Sequence, residues 1–175
     1  MNRSEIIEYL KNKDIILKSH YDKIFGFKYY MDNDNLLIKT VAYPNHVFSE
    51  AYKGDSINDD RISTILKNKE KMRDEINEEY LNELIRLEND EKIIDRTFTC
   101  LEILDEKLYE IVSDSLIEKL PIKVIEKKRK ITKPTVIKRR EKGIDEITNL
   151  FNSDFSLTEL KVMAVEKIGK RNRIK

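Results

Sequence analysis

Apolar residues recur along most of this chain at spacings of three, four and seven, the period of amphipathic helices. From Arg3 to about Met31 a broad apolar face runs through Ile6, Ile7, Leu10, Ile15, Ile16 and Leu17, with Ser4 placed to cap. Gly26 and the aromatic cluster Phe25, Phe27, Tyr29 and Tyr30 weaken the helical pattern toward its end. Such rings can stack on bases, but packing in a core or interface is the commoner use. Met31 to Asp60 is irregular: MDNDN signals a turn, LLIKTVAY has strand-like composition, and Pro44, Gly54 and DSINDD mark a loop. Asp59 and Asp60 are placed to cap the next helix.

From Arg61 to about Asp95 a long amphipathic helix is expected, with Ile62, Ile65, Leu66, Met72, Ile76, Tyr80, Leu84 and Leu87 as its stripe. Its partner is either the first helix, as an antiparallel hairpin, or the same helix in another copy. Lys92 to Leu120 continues with Ile93, Ile94, Phe98, Leu101, Leu104, Leu108, Ile111, Val112, Leu116 and Ile117. One break is expected near Leu104–Asp105, where Asp105 can cap, and another at Lys119–Pro121, because the residue before proline avoids helix.

Pro121 to Phe151 then reads as two helices with a tight turn at Ile131-Thr132-Lys133. Thr132 is a good N-cap and Pro134 falls in the first turn, where proline is tolerated. Val136, Ile137, Ile144 and Ile147 form the inner face of the second helix, leaving Lys133, Thr135, Lys138, Arg139 and Lys142 outward. A buried stripe behind a basic face suits a helix lying in a DNA major groove. A charge run on a helix is more often simply solvated. After a loop at Asn152 to Phe155, Ser156-Leu157-Thr158-Glu159 is a capping box opening a short helix, and the basic end KIGKRNRIK is expected to fray.

Composition sharpens this picture. Charged residues make up 38% of the 175 positions, hydrophobic ones 39%, and Gly and Pro are few, which favours long helices. The net charge of +1 hides asymmetry. Acids outnumber bases roughly two to one from Asp55 to Glu110, whereas eleven Lys and Arg face four acids from Ile111 to Gly143. Glu75, Glu78, Glu79, Glu83 and Glu88 are read as a solvated face, not an acid–base or metal site. His20 and His46 lack partners at ligand spacing, and the single Cys100 reads as a small buried residue. No metal, cofactor or enzymatic constellation is expected. No signal-peptide core or membrane-length apolar run occurs, so no membrane partner and a cytoplasmic location are expected.

The order of parts resembles a known family. DRISTILKNKEKMRDEINEEYLNELIRLENDEKIID leads into FTCLEILDEKLYEIV and then KVIEKKRKITKPTVIKRREKGIDEITNLF. This is similar to phage late-gene transcriptional regulators of the RinA and ArpU type, whose C-terminal half looks like the last, helix-turn-helix domain of sigma factors. Ile131-Thr132 matches the family's turn and Thr135-Val136 its reading helix, while Gly143-Ile144 replaces an Ala-Leu pair. Small apolar and Leu positions of the preceding helix fall on Glu126 and Arg129, unless a one-residue shift puts Ile125 inside.

The resulting expectation is an all-α chain in four parts: an N-terminal helix and irregular segment (1–60), a long amphipathic helix (61–95), a sigma-like helix-turn-helix domain (96–152), and a short helix with a basic tail (153–175). It is expected to bind double-stranded DNA as a regulator of phage or prophage genes, with homodimerisation through its helical regions. Lys133, Thr135, Lys138 and Arg139 are assigned to base edges and nearby phosphates, Lys127, Lys128, Arg129 and Lys130 to the backbone, and Thr132 and Lys142 to the DNA-binding surface. The resemblance implies contact with host RNA polymerase. Alternatives are a sigma-like polymerase subunit, a small-terminase-like packaging component and a pure interaction coiled coil.

Overall fold

The computed structural model describes residues 1–37 and 59–172, with the side chains of 59–62 and 172 left aside. Within these residues the chain is all-α. The helices are α1 (Arg3–Met31), α2 (Asp59–Ile103), α3 (Glu106–Val112), α4 (Ile122–Arg129), α5 (Lys133–Phe151) and α6 (Leu157–Asn172). A π-helical turn, Ser113–Ile117, follows α3. None of the described helices is long and apolar enough to cross a membrane. The run from Ile38 onward, His46, and capping by Asp59 and Asp60 lie outside the described residues and side chains.

Local signals account for most helix ends. Asn2, not Ser4, caps α1: its Oδ1 accepts from the Glu5 amide at 3.0 Å while Glu5 Oε2 accepts from the Asn2 amide at 2.7 Å. Ser4 sits inside the first turn. The box expected at α6 forms, with the Ser156 amide donating to Glu159 at 2.7 Å and the Glu159 amide to Ser156 Oγ at 3.3 Å. The break before Glu106 occurs as expected with Asp105 at the N-cap position, its carboxylate turned to Lys167 at 2.8 Å and making no bond to a backbone amide. No break interrupts α2 near Asp95; it runs 45 residues. Nor does the chain stay α-helical to Leu120, because the π turn takes over after Val112.

Contacts divide the chain into two units. The first comprises Met1–Leu17 and Asn89–Lys175. Its core gathers Ile6 and Leu10 from α1, Cys100 and Leu101 from α2, Leu104 from the break after it, Leu108 and Val112 from α3, Ile144 and Ile147 from α5, and Leu160 and Ala164 from α6. Burial pushes the Cys100 thiol up to about 11, so it stays protonated. Arg96 shapes the loop after α5: Nε, Nη1 and Nη2 donate to the carbonyls of Phe151, Phe155 and Ser153 at 2.8, 2.9 and 3.0 Å. Arg171, expected in a frayed tail, instead donates to the carbonyls of Glu102 and Leu104 and stacks on Tyr109, closing the C-terminus of α2.

The second unit is Lys18–Glu88. Here the chain from α1 to Asp34 runs antiparallel to α2, since His20 of α1 partners Glu83 while Asp34, beyond the end of α1, partners Lys69. The hairpin expectation therefore holds. Glu83 is not on a solvated face: it is 3% exposed and accepts from His20 Nδ1 at 2.6 Å, Lys23 at 3.1 Å and Arg86 at 3.3 Å. Burial alone would raise its carboxyl pKa, but His20 and Lys23 hold it below the usual range. Glu75, Glu78, Glu79 and Glu88 are exposed as expected.

Candidate nucleic-acid interface

The two helices α4 and α5 are joined by Lys130-Ile131-Thr132. Pro121 is the N-cap of α4, with extended backbone, and Ile125 is fully buried, so the one-residue shift resolves in favour of Ile125 inside. Ile125 meets Ile111 of α3 and Val136 of α5 in a small core bordered by Leu120, Ile122 and Ile131. That cluster fixes the second helix against the first. Lys130 closes α4 in a left-handed conformation, φ 53°. A β-carbon is strained there, and glycine is the usual occupant. Lys130→Gly is expected to stabilise the chain by about 0.5–1 kcal/mol, read as a rise in melting temperature of about 1–4 °C.

Thr132 is the N-cap of α5 as expected, although its hydroxyl meets that of Thr135 at 3.0 Å and makes no bond to a backbone amide. Val136, Ile144 and Ile147 are buried and Ile137 half-buried, which bears out the inner face. Gly143 belongs to that face too. A β-carbon there would stand 2.6 Å from Val112 Cγ2, so the backbone of α5 approaches α3 too closely for alanine.

The cations of this region divide into two groups. Lys128 Nζ and Arg129 Nε converge on buried Asp114 at 2.6 and 2.7 Å, and Arg129 also reaches Glu110 at 2.5 Å. Asp114 projects from the π turn, so this ion pair ties α4 to the end of α3. Both residues, expected on a phosphate backbone, thus have partners within the chain. Arg129 is only 23% exposed at its side chain, Lys128 48%. The second group is Lys127, Lys130, Lys133, Lys138 and Arg139, which form no ion pair among the described residues. All are exposed except the half-buried Arg139. Lys142 pairs with Glu146 at 3.6 Å, and Arg3 engages Glu141 and Asp145.

Within this region, unneutralised charge thereby gathers on the N-terminal half of α5 and the end of α4 before it. There Pro134, Thr135, Lys138, Arg139 and Lys142 line a shallow depression of ≈ 440 Å³ on the helix face. The helix dipole adds positive potential at the same end. The patch thus combines the Lys138 and Arg139 side chains, the Thr135 hydroxyl and the N-terminal half of α5. Asp114 is what sequence reading missed. Its signal was a carboxylate three residues after Ile111, on the apolar stripe of IVSDSLI. No family model, no curated protein and no solved structure matches this chain.

Proposed function

We propose that this chain binds double-stranded DNA through α5, as a helix-turn-helix regulator of transcription. The observation that carries the reading is the uncompensated basic face over the first turns of α5, backed by the buried Val136, Ile144 and Ile147. In groove-reading helices it is the N-terminal residues that reach base edges. Lys138 and Arg139 supply the donors that guanine and phosphate oxygens accept, Lys127, Lys130 and Lys133 flank them, and Thr135 offers a hydroxyl. Lys128 and Arg129 hold α4 in place and serve the interface through position more than through charge. The resemblance to late-gene regulators of the RinA and ArpU type, carried by sequence pattern, points the same way.

The test is a gel shift on fragments of the source genome across a salt series, with the double variant Lys138→Ala/Arg139→Ala alongside. Site-selective binding that survives moderate salt is expected. The variant should lose at least about tenfold in affinity and about two units of salt slope, with its helicity unchanged. Weak binding with no preferred fragment would reduce the face to a merely basic surface.

A further inference from the structure

The second half of α1 carries a stripe of three aromatic rings, each more than half exposed. Phe25 is 73% exposed, Tyr29 55% and Tyr21 51%. They stand four residues apart, one above another on a single helix face. Exposed rings grouped this way mark an interaction surface more often than isolated ones do. The same face bears Lys18, Asp22 and Lys28, and Asp32 follows just past the end of α1, its amide still donating to the Lys28 carbonyl at 3.0 Å; all four are exposed. Among the described residues none of these four forms an ion pair.

The order of these residues is complementary to itself. Counted from Phe25, Tyr21 and Tyr29 stand four before and four after, Asp22 and Lys28 three before and after, and Lys18 and Asp32 seven before and after. A second α1 laid antiparallel about a two-fold axis through Phe25 therefore puts Phe25 on Phe25 and Tyr21 at the level of Tyr29. Lys18 then lies at the level of Asp32, near the seam, and Asp22 at that of Lys28, across it. Every level joins ring to ring or cation to anion, whereas a parallel copy in register sets like charges together. With Lys18 and Lys28 offset by Asp22 and Asp32, these four residues give the stripe no net positive charge to draw a polyanion.

We propose that this face of α1 docks a second copy of the chain, antiparallel and two-fold symmetric, with Phe25 at its centre. A closed two-fold contact needs one self-complementary patch, and this face supplies it. Three rings from each copy bury on the order of 1,000 Å², the lower end for a specific interface, so a dissociation constant in the micromolar range is expected. The inference does not depend on what α5 binds.

Sedimentation equilibrium of the full chain through the micromolar range tests it, with circular dichroism to verify each variant's helicity. The wild-type mass should rise from one chain to two. Phe25→Glu should remain a single chain throughout, and because Phe25 is mostly in solvent its fold should be unaffected. Lys18→Asp or Asp32→Lys alone sets like charges together at two symmetric places and should weaken association about tenfold. Lys18→Asp/Asp32→Lys in one chain restores the complementarity and should recover most of that loss. A single-chain mass at every concentration overturns the proposal. So does a dimer indifferent to Phe25→Glu, or a double exchange no better than the single ones.

Discussion

Asp114→Ala is expected to destabilise the chain by about 2–4 kcal/mol, the range for removing one side of a buried charge pair. Asp114 is 3% exposed and accepts from Lys128 at 2.6 Å and Arg129 at 2.7 Å. Arg129 is the tighter partner; Lys128, nearly half in solvent, is screened and contributes less. Burial by itself would raise the Asp114 carboxyl, but the hydrogen bonds from Arg129 and Lys128 outweigh it and hold the pKa below the ordinary carboxylate range. That direction sets the pH dependence. A lowered folded pKa means the unfolded chain takes up the proton first, so this contribution is complete above the unfolded value of about 4 and is lost as pH falls through the folded pKa. Glu83, held low in the same direction, fades over a similar window. Urea unfolding at neutral pH and again well below about pH 4 checks this. Asp114→Asn should cost less than Asp114→Ala at neutral pH, and the wild type should lose its advantage over Asp114→Asn in acid. An unchanged difference between the two pH values would show that the carboxylate charge contributes nothing.

Gly143→Ala is expected to destabilise by about 1–2 kcal/mol, against the preference of a helix interior for alanine. Propensity alone favours the substitution by about 1 kcal/mol. The added methyl would lie 2.6 Å from Val112 Cγ2, with Leu104 Cδ1 at 3.5 Å and Leu108 Cβ at 3.7 Å around it. Val112 is fully buried and branched at its β-carbon, so it has little freedom to yield. Either α5 moves away from α3 or Val112 leaves its rotamer, and both disturb the packing behind the basic face. Val112→Ala opens that space at its own cost. The double variant should therefore be more stable than the sum of the two single losses by at least about 1 kcal/mol, measured as a coupling in urea unfolding. Simple additivity would mean that the close approach at Gly143 is relieved without cost.

These two residues mark where reading along the chain stops being sufficient. Asp114 counted in sequence as one acid among many, and Gly143 as a weak helix residue. What each does depends on a neighbour that the fold supplies: Arg129, fifteen residues on, for Asp114, and Val112 of α3 for Gly143. Glu83 is a third case, since five glutamates at helical spacing look alike until His20 and Lys23 are brought against one of them. Arg96 is a fourth, its three carbonyl partners lying 55 or more residues away.

Sequence by itself determined the all-α character, the extent of α1, the breaks at Asp105 and Pro121, the cap at Thr132, the inner face of α5 and the capping box at Ser156. These rest on interactions within about four residues: periodicity, proline sterics, extended backbone at the caps and, at Ser156, a side chain to backbone bond. The wealth of Lys and Arg between Pro121 and Gly143 was equally plain. Which of those cations remain free to meet another molecule was decided by the tertiary structure alone. Burying Asp114 commits Lys128 and Arg129 to a partner within the chain, and the contact of Arg3 with Glu141 and Asp145 balances the far half of α5. A charge is used up or left over by what lies within a few ångströms of it, and that distance is a property of the fold.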